Sequence, residues 1–540
     1  MRIRMTTCRR SLAIAALCLA ACGDGDPGDP LAVEIDTGVL HGIELGQTRA
    51  FLGVPYAAPP VGPDRWRPPQ PTLPWDGVRD AISVGIQCPQ ALSLSGPGGD
   101  EDCLFLNVWT PTSPGDDGLV PVMVWLHGGA FVFGSGGDKF YSGQHLAETY
   151  GVVVVTLSYR LGALGFLAHP ALAAEDPAYP SSGNYGFDDQ RAALGWVQRN
   201  IAQLGGDPGN VLLFGESAGG YSTCAHYVSP RSAGLFSRAI VESGLCTSPL
   251  LEATRAEAEA TGTKVAQDLG CPATGPEAVA CLRAKPVDAL LAATALPQPQ
   301  SQPPGGPLYL GDTASLLATR PSVDGFVVEQ PMRAAFAAAS FPPRPLIVGT
   351  TRDEGTLFHS PLFATEVTTD AEYRAALARR FGQNNVAAIV ARYPASAFAS
   401  PNRALAEVSG DAFFVCPARQ TARDAAAAGA PVYLYSFEQP PELPLFADLG
   451  VFHSAEIPFV FGTDPAYPLG RVGESGAATA ATLQALWTQF AAAADPNGVG
   501  PAWPAFERAG DRHLVIGPTI AAGSGHKAAA CDFWDVLLRP

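Results

Sequence analysis

Positive charge is scarce in this chain. Lys and Arg number 34 against 51 Asp and Glu in 540 residues, a formal net charge of −17. A surface so acidic repels phosphate backbones and anionic headgroups, which argues against nucleic-acid binding and against polybasic attachment to a membrane. The apolar stretch 11–21 is too short to cross a bilayer, which takes about 20 residues. None of the cysteines has the Cys-x-x-Cys-plus-His spacing of a zinc site, so no metal is expected. There is no internal repeat. Hydrophobic residues are not lacking: at 47% they suffice for a large core, so the 58 Gly and 50 Pro imply many ordered loops and not disorder.

The N-terminus carries an address. Arg2, Arg4, Arg9 and Arg10 precede the short apolar stretch, the layout of an export signal. The stretch ends in Leu19-Ala20-Ala21-Cys22, which resembles the bacterial lipobox and implies acylation of Cys22 as the mature N-terminus. Residues 1–21 are therefore expected to be a signal peptide of lipoprotein type. Residues 22–30, rich in Gly, Asp and Pro, are expected to be a flexible tether. The protein is then exported and held on the periplasmic or cell-surface side by its lipid alone; without the lipid it is secreted. Setting aside Cys8, Cys18 and Cys22 leaves eight of the eleven cysteines, an even number in an exported chain, and disulfides are the default.

No second linker follows Pro30, so residues 31–540 are expected to form one domain. The runs 122–126, 152–157, 211–214 and 346–348 are short, continuously apolar and rich in β-branched residues, as strands buried on both faces of a parallel sheet are. Between the second and third, residues 189–204 carry Ala192, Ala193, Trp196, Val197 and Ile201 at helical spacing, which makes a right-handed βαβ unit. The stretch 33–108, broken by Pro and Gly, predicts hairpins and loops. The Pro- and Gln-rich patch 297–307 predicts an exposed loop or part of a rim over a site.

Gly215-Glu216-Ser217-Ala218-Gly219 follows the third of those strands and precedes an amphipathic stretch, 221–228. A strand, a sharp turn and a helix around G-x-S-x-G is the setting in which a serine hydroxyl stands clear above an α/β-hydrolase sheet, so Ser217 is the expected nucleophile. Acyl transfer puts negative charge on the carbonyl oxygen, and preset N–H groups must face it. His127-Gly128-Gly129-Ala130, just past the strand 122–126, supplies such donors, and the expected oxyanion hole is the amides of Gly128, Gly129 and Ala218. A serine also needs a base, held by an acid, in the chain order Ser, Asp or Glu, His. The acid lies best in Thr351-Arg352-Asp353-Glu354-Gly355. The residues alone leave Asp353, Glu354 and, further off, Asp324 open. Of the histidines beyond, His453 in a small-residue turn is favoured over His513 and His526, and His359 is too near the acid.

The chain resembles the type-B carboxylesterase/lipase family, which includes the cholinesterases, from about Val33 to the C-terminus. The resemblance is carried by Phe51-Leu52-Gly53-Val54-Pro55-Tyr56-Ala57, Glu101-Asp102-Cys103-Leu104-Phe105-Leu106-Asn107-Val108, Asn184-Tyr185-Gly186-Phe187-Asp188-Asp189-Gln190 and Phe214-Gly215-Glu216-Ser217-Ala218-Gly219-Gly220. It implies an α/β-hydrolase fold with a large, mostly parallel central sheet flanked by helices, and a serine carboxylesterase that needs no cofactor. It further implies Glu354 as the acid, His453 as the base, and the bridges Cys88–Cys103, Cys271–Cys281 and Cys416–Cys531. Cys224 and Cys246 remain and are expected to pair. Ser454 stands where the family more often has glycine, a substitution expected to cost nothing.

Cholinesterases hold a quaternary ammonium on a tryptophan inside their first disulfide loop. Residues 89–102 contain no aromatic residue, so choline esters are not the expected substrate, and a neutral carboxylic ester with water as acceptor is. An interfacial lipase is the alternative, weakened by the lack of a long amphipathic lid. A non-catalytic adhesion protein of the same family is a further one, opposed by the presence of Ser217, Glu354 and His453 together.

Overall fold

The computed structural model describes residues 29–91, 98–113, 118–248, 252–294, 320–361, 363–442, 447–463 and 470–538. The expected signal, Cys22, most of the tether and the patch 297–307 lie outside them.

A small sheet opens the fold: β1 (Ala32–Ile35) pairs antiparallel with β2 (Gly38–His41), and β5 (Val78–Asp80) joins β2. A two-stranded parallel pair, β11 (Ala253–Thr254) with β12 (Ser322–Val323), stands apart, and among the described residues the main sheet has eleven strands. In chain order these are β3 (Ile43–Leu45), β4 (Thr48–Pro55), β6 (Phe105–Pro111), β7 (Val120–Leu126), β8 (Val153–Leu157), β9 (Gly206–Glu216), β10 (Arg238–Glu242), β13 (Leu346–Thr351), β14 (Val432–Phe437), β15 (Arg512–Ile516) and β16 (Ala521–Ser524). They lie side by side as β16-β15-β14-β13-β10-β9-β7-β8-β6-β4-β3. The pairs from β8 across to β15 are parallel, and antiparallel strands close both edges.

The apolar runs explain the centre. Along β7, Val122, Val124 and Leu126 point into one core, with Val153 and Val155 of β8. Met123 and Trp125 point into a second core on the opposite face. A period of two on a strand with both faces covered needs apolar residues at every position. The helix Tyr185–Asn200 lays Leu194, Trp196 and Val197 on the first core, and its crossover from β8 to β9 spans β7. Leu483, Leu486, Trp487 and Phe490 of Gly473–Ala493 cover the second. A third cluster, from Leu245 and Phe358 to Phe414, Cys416 and Trp534, sits among the helices between β13 and β14 and the C-terminal helix.

The stretch after Ser217 corrects one expectation. It is a helix, Ala218–Val228, but Ala218 through Tyr227 are all buried, so it is enclosed on every side instead of amphipathic. Ser222 and Thr223 satisfy their hydroxyls on the carbonyls four residues back, which lets polar side chains sit inside. Disulfides join Cys88 to Cys103, Cys224 to Cys246, Cys271 to Cys281 and Cys416 to Cys531.

Candidate active site

The site residues leave the sheet at the carboxyl ends of its central strands, where open α/β sheets place their ligands. Ser217 follows β9 directly and takes φ +55°, ψ −118°, a conformation that costs an L-residue of the order of 1–3 kcal/mol. The flanking glycines make that turn possible. A Cβ on Gly219 would lie 1.9 Å from the Leu126 carbonyl oxygen, and one on Gly215 would lie 2.6 Å from the Gly219 backbone. The Ser217 amide donates to the Glu242 carbonyl at 2.9 Å, which ties the elbow to β10.

The loop after β7 wraps against this elbow. A Cβ on Gly128 would meet the Glu216 carboxylate at 2.7 Å and the Ser217 Cβ at 3.2 Å. Gly129 has φ +107°, with the Phe133 carbonyl oxygen 2.0 Å from where its Cβ would be. Among the described residues the amides of Gly128 and Gly129 have no acceptor. The Ala218 amide lies in the first helical turn, where backbone N–H groups lack helical partners. Three free donors therefore border Ser217. His127 is buried, stacked on Tyr159 at 4.3 Å, with Nδ1 2.8 Å from the Gly128 carbonyl oxygen. Burial pushes its imidazole down to about 4, so it stays neutral at neutral pH.

Glu354 and His453 arrive from loops after β13 and β14. The carboxylate Oε2 of Glu354 is 2.6 Å from His453 Nδ1, and its Oε1 accepts from the Thr351 amide at 2.8 Å and the Ser243 hydroxyl at 2.5 Å. The neighbouring Asp353 does something else. Its amide donates to the Val451 carbonyl at 2.9 Å and its carboxylate accepts the Val451 amide at 2.8 Å, so it joins the acid loop to the base loop. Asp324 accepts the amides of Phe326, Val327 and Val328 and the Ser181 hydroxyl, a loop-shaping role. His513 packs on His526, and His359 bonds Ser409 at 2.9 Å.

The other nitrogen of His453, Nε2, faces the elbow and lies 3.1 Å from Glu216 Oε1. Phe358 and Phe414 flank the ring, with centroids 4.9 and 4.7 Å away. Burial pulls the imidazole pKa down, but the carboxylates of Glu216 and Glu354 together outweigh it and the net shift is upward. Burial raises Glu216, raises Glu242 to about 8 and raises Glu456 well above the usual carboxyl range.

Sequence reasoning missed Ser243, Glu216, Phe358 and Phe414. Ser243 gave no signal beyond its place at the end of β10, and Glu216 was the unspecified position in G-x-S-x-G. Ser454, expected to cost nothing in place of glycine, takes φ +73°, a region that favours glycine, and its hydroxyl donates to Glu216 at 2.6 Å.

A strained serine on a strand–helix elbow, free amides beside it and a carboxylate-held imidazole whose Nε2 lies against Glu216 of that elbow define a serine hydrolase of the α/β-hydrolase fold. Comparison with known proteins narrows the class. A family model described as "Carboxylesterase family" matches residues 29–534, and the chain belongs to that family. It is 37% identical over 510 residues to the fumonisin B1 esterase of Sphingopyxis macrogoltabida, covering 92% of this chain and 88% of that one. It is 35% identical over 492 residues to the para-nitrobenzyl esterase of Bacillus subtilis (strain 168), covering 89% and 94%. Identity to the human cocaine esterase is 34% over 525 residues, covering 91% and 87%. A solved PNB esterase structure superimposes with a TM-score of 0.79 at 33% identity, covering 93% of this chain and 99% of that one. The protein is a serine carboxylesterase, a carboxylic ester hydrolase.

Proposed function

We propose that ester hydrolysis here runs through an acyl-enzyme on Ser217, with His453 as base and Glu354 as its orienting acid. The observation that carries this is the 2.6 Å contact between Glu354 and His453 Nδ1, made while Nε2 is turned toward the elbow. His453 takes the Ser217 proton as Oγ attacks the carbonyl carbon. The resulting oxyanion is held by the amides of Gly128, Gly129 and Ala218. Collapse breaks the ester bond, His453 gives its proton to the departing alcohol, and the acyl group stays on Oγ. Water, deprotonated by the same imidazole, then releases the acid and restores Ser217.

The relatives are named for three different substrates at similar identity, so overall likeness does not pick the ester. Charge helps. Glu216 and Glu354 lie beneath the reacting centre of an acidic protein, a field that disfavours anionic substrates. A panel of p-nitrophenyl esters of varied acyl length, run on wild type and Ser217→Ala, tests the reading. We expect a loss of about 10⁴-fold or more in kcat for Ser217→Ala. Turnover retained in that variant removes Ser217 as nucleophile.

Residues 1–21 as an export signal, acylated Cys22 and the tether 22–30 complete the proposal, leaving 31–540 as one exported domain. Four disulfides support an oxidising compartment. No helix among the described residues is long and apolar enough to cross a membrane. Cys22→Ser is expected to move the protein from the membrane to the soluble fraction, and unchanged membrane retention rules the anchor out.

A further inference from the structure

The helices Pro401–Gly410 and Cys416–Ala427 are joined by a single π-helical turn, Asp411–Val415. Such turns have poorer backbone geometry than an α-helix and are frequent at functional sites. This one carries Phe414, which stacks on Phe358 at 5.6 Å and packs on the His453 ring at 4.7 Å.

The C-terminal helix, Ala528–Leu537, grips the turn at both ends. At its start, Asp411 is buried and accepts Lys527 Nζ at 2.6 Å and the Tyr393 hydroxyl at 2.9 Å. The same ammonium reaches Glu407 at 2.8 Å, one turn earlier. Lys527 holds the cap of the C-terminal helix at φ +47°, and Trp534 of that helix donates to the Tyr393 oxygen at 2.9 Å. Just past the other end, Cys416 is bonded to Cys531.

We propose that Lys527 is a positioning residue for the catalytic base: paired with Asp411, it keeps the π-helical turn in the register that seats Phe414 against His453. The proposal rests on His453 being that base. The imidazole is held in its plane by Glu354 at Nδ1 and by the Glu216 carboxylate 3.1 Å from Nε2; the two phenyl faces stop the ring from tilting out of that plane. Relaxing the turn to α-helix shifts its residues by one position, about 100° around the axis. Because Cys416 is tied, that rotation falls on residues 411–415 and takes Phe414 off the ring. Without Lys527 the buried Asp411 carboxylate must take up a proton or turn toward water, and either change removes the pull that holds the start of the turn.

Lys527→Met tests this with p-nitrophenyl butyrate. We expect kcat to fall by about 10- to 100-fold while KM stays within about threefold, the pattern of a misaligned catalytic group. Lys527→Arg should restore most of the rate. Arg423→Ala is the control, because Arg423 holds the same C-terminal helix through Asp535 at 3.1 Å without touching Asp411. It should lower the melting temperature and leave kcat near wild type. In a Phe414→Leu background, Lys527→Met should cost little further kcat, since the route through Phe414 is already lost. If Lys527→Met is not recovered folded, Asp411→Asn is read the same way. The proposal is overturned if these variants lose only thermal stability, as Arg423→Ala does, or if their kcat losses add fully to that of Phe414→Leu. His453→Ala separates the two readings: activity surviving that change removes the base assignment, whereas its loss beside a normal kcat in Lys527→Met removes only this inference.

Discussion

The elbow that carries the proposed nucleophile and the arm that carries the proposed acid and base are held by different physics. The elbow is local. Five consecutive residues, 215–219, fix it, and what fixes them is exclusion: no Cβ fits at Gly215 or Gly219, so the backbone closes onto β7 and only a strained serine caps the turn. The arm is assembled from far apart. Glu354 and His453 are 99 residues from each other, Ser243 is 111 from Glu354, and Ser454 reaches back 238 residues to Glu216. Nothing but hydrogen bonds, ion pairs and the aromatic stack holds the imidazole at its station. Damage to the elbow should therefore disturb the fold and the rate together, and damage to the arm the rate alone.

Of changes that test this contrast, the largest effect belongs to the arm, beside the loss already expected for Ser217→Ala. Glu354→Gln keeps the shape of the side chain and a partner for the Ser243 hydroxyl, but an amide does not select the imidazole tautomer or stabilise the imidazolium. We expect kcat to fall about 10⁴-fold, as for the equivalent aspartate of a serine-protease triad. The thermal midpoint should stay within a few degrees of wild type. A large loss of stability along with activity would erase the contrast drawn above.

Gly219→Ala attacks the elbow. The new methyl would sit 1.9 Å from a backbone oxygen of a central strand, which no side-chain rotation relieves. Overpacking of this kind costs about 1–3 kcal/mol and sometimes more. The expected outcome is a lower melting temperature, measurable by circular dichroism, together with loss of turnover. Normal stability in this variant would mean that strands β7 and β9 yield more easily than their burial suggests.

The same contrast explains what was legible in the sequence. Ser217 and the glycines of both turns could be read because steric exclusion acts between near neighbours and leaves a fixed spacing. The central strands could be read because two covered faces demand unbroken apolar runs. Asp353 and Glu354, adjacent and chemically alike, could not be told apart by the residues alone. Only the loop pairing, with Asp353 on the Val451 backbone, turns Glu354 inward. Ser243 and Phe414 were illegible for the same reason: each acts through a contact to a residue far off in the chain, and a common serine or phenylalanine carries no spacing that announces it. Ser454 was visible, but its positive φ and its bond to Glu216 are properties of the folded turn and were not.

The smallest effect sharpens the comparison most, because Glu216 belongs to both regions: it is the second residue of the elbow and lies 3.1 Å from the imidazole of the arm. Its carboxylate is one of the groups that raise His453, and Glu354 is the other; Glu242 and Glu456 lie in the same buried cluster, where burial raises Glu242 to about 8 and raises Glu456 well above the usual carboxyl range. With His453 as the proposed base, turnover needs it neutral, so the acid limb of kcat/KM should lie above the ordinary histidine value of about 6.5. Glu216→Gln removes one of the two charges, retains an oxygen for the Ser454 hydroxyl, and should move that limb to lower pH. The stability effect has a definite sign. A raised imidazole pKa stabilises the fold fully below the unfolded histidine value, and that contribution is lost as pH rises through the folded value, so the variant should lose stability less steeply across this window. We expect the plateau rate to change by less than about tenfold, because one pKa unit corresponds to only about 1.4 kcal/mol. A limb that stays in place or moves upward would show that Glu216 does not act on the base by charge, and the elbow and arm would then be electrostatically independent.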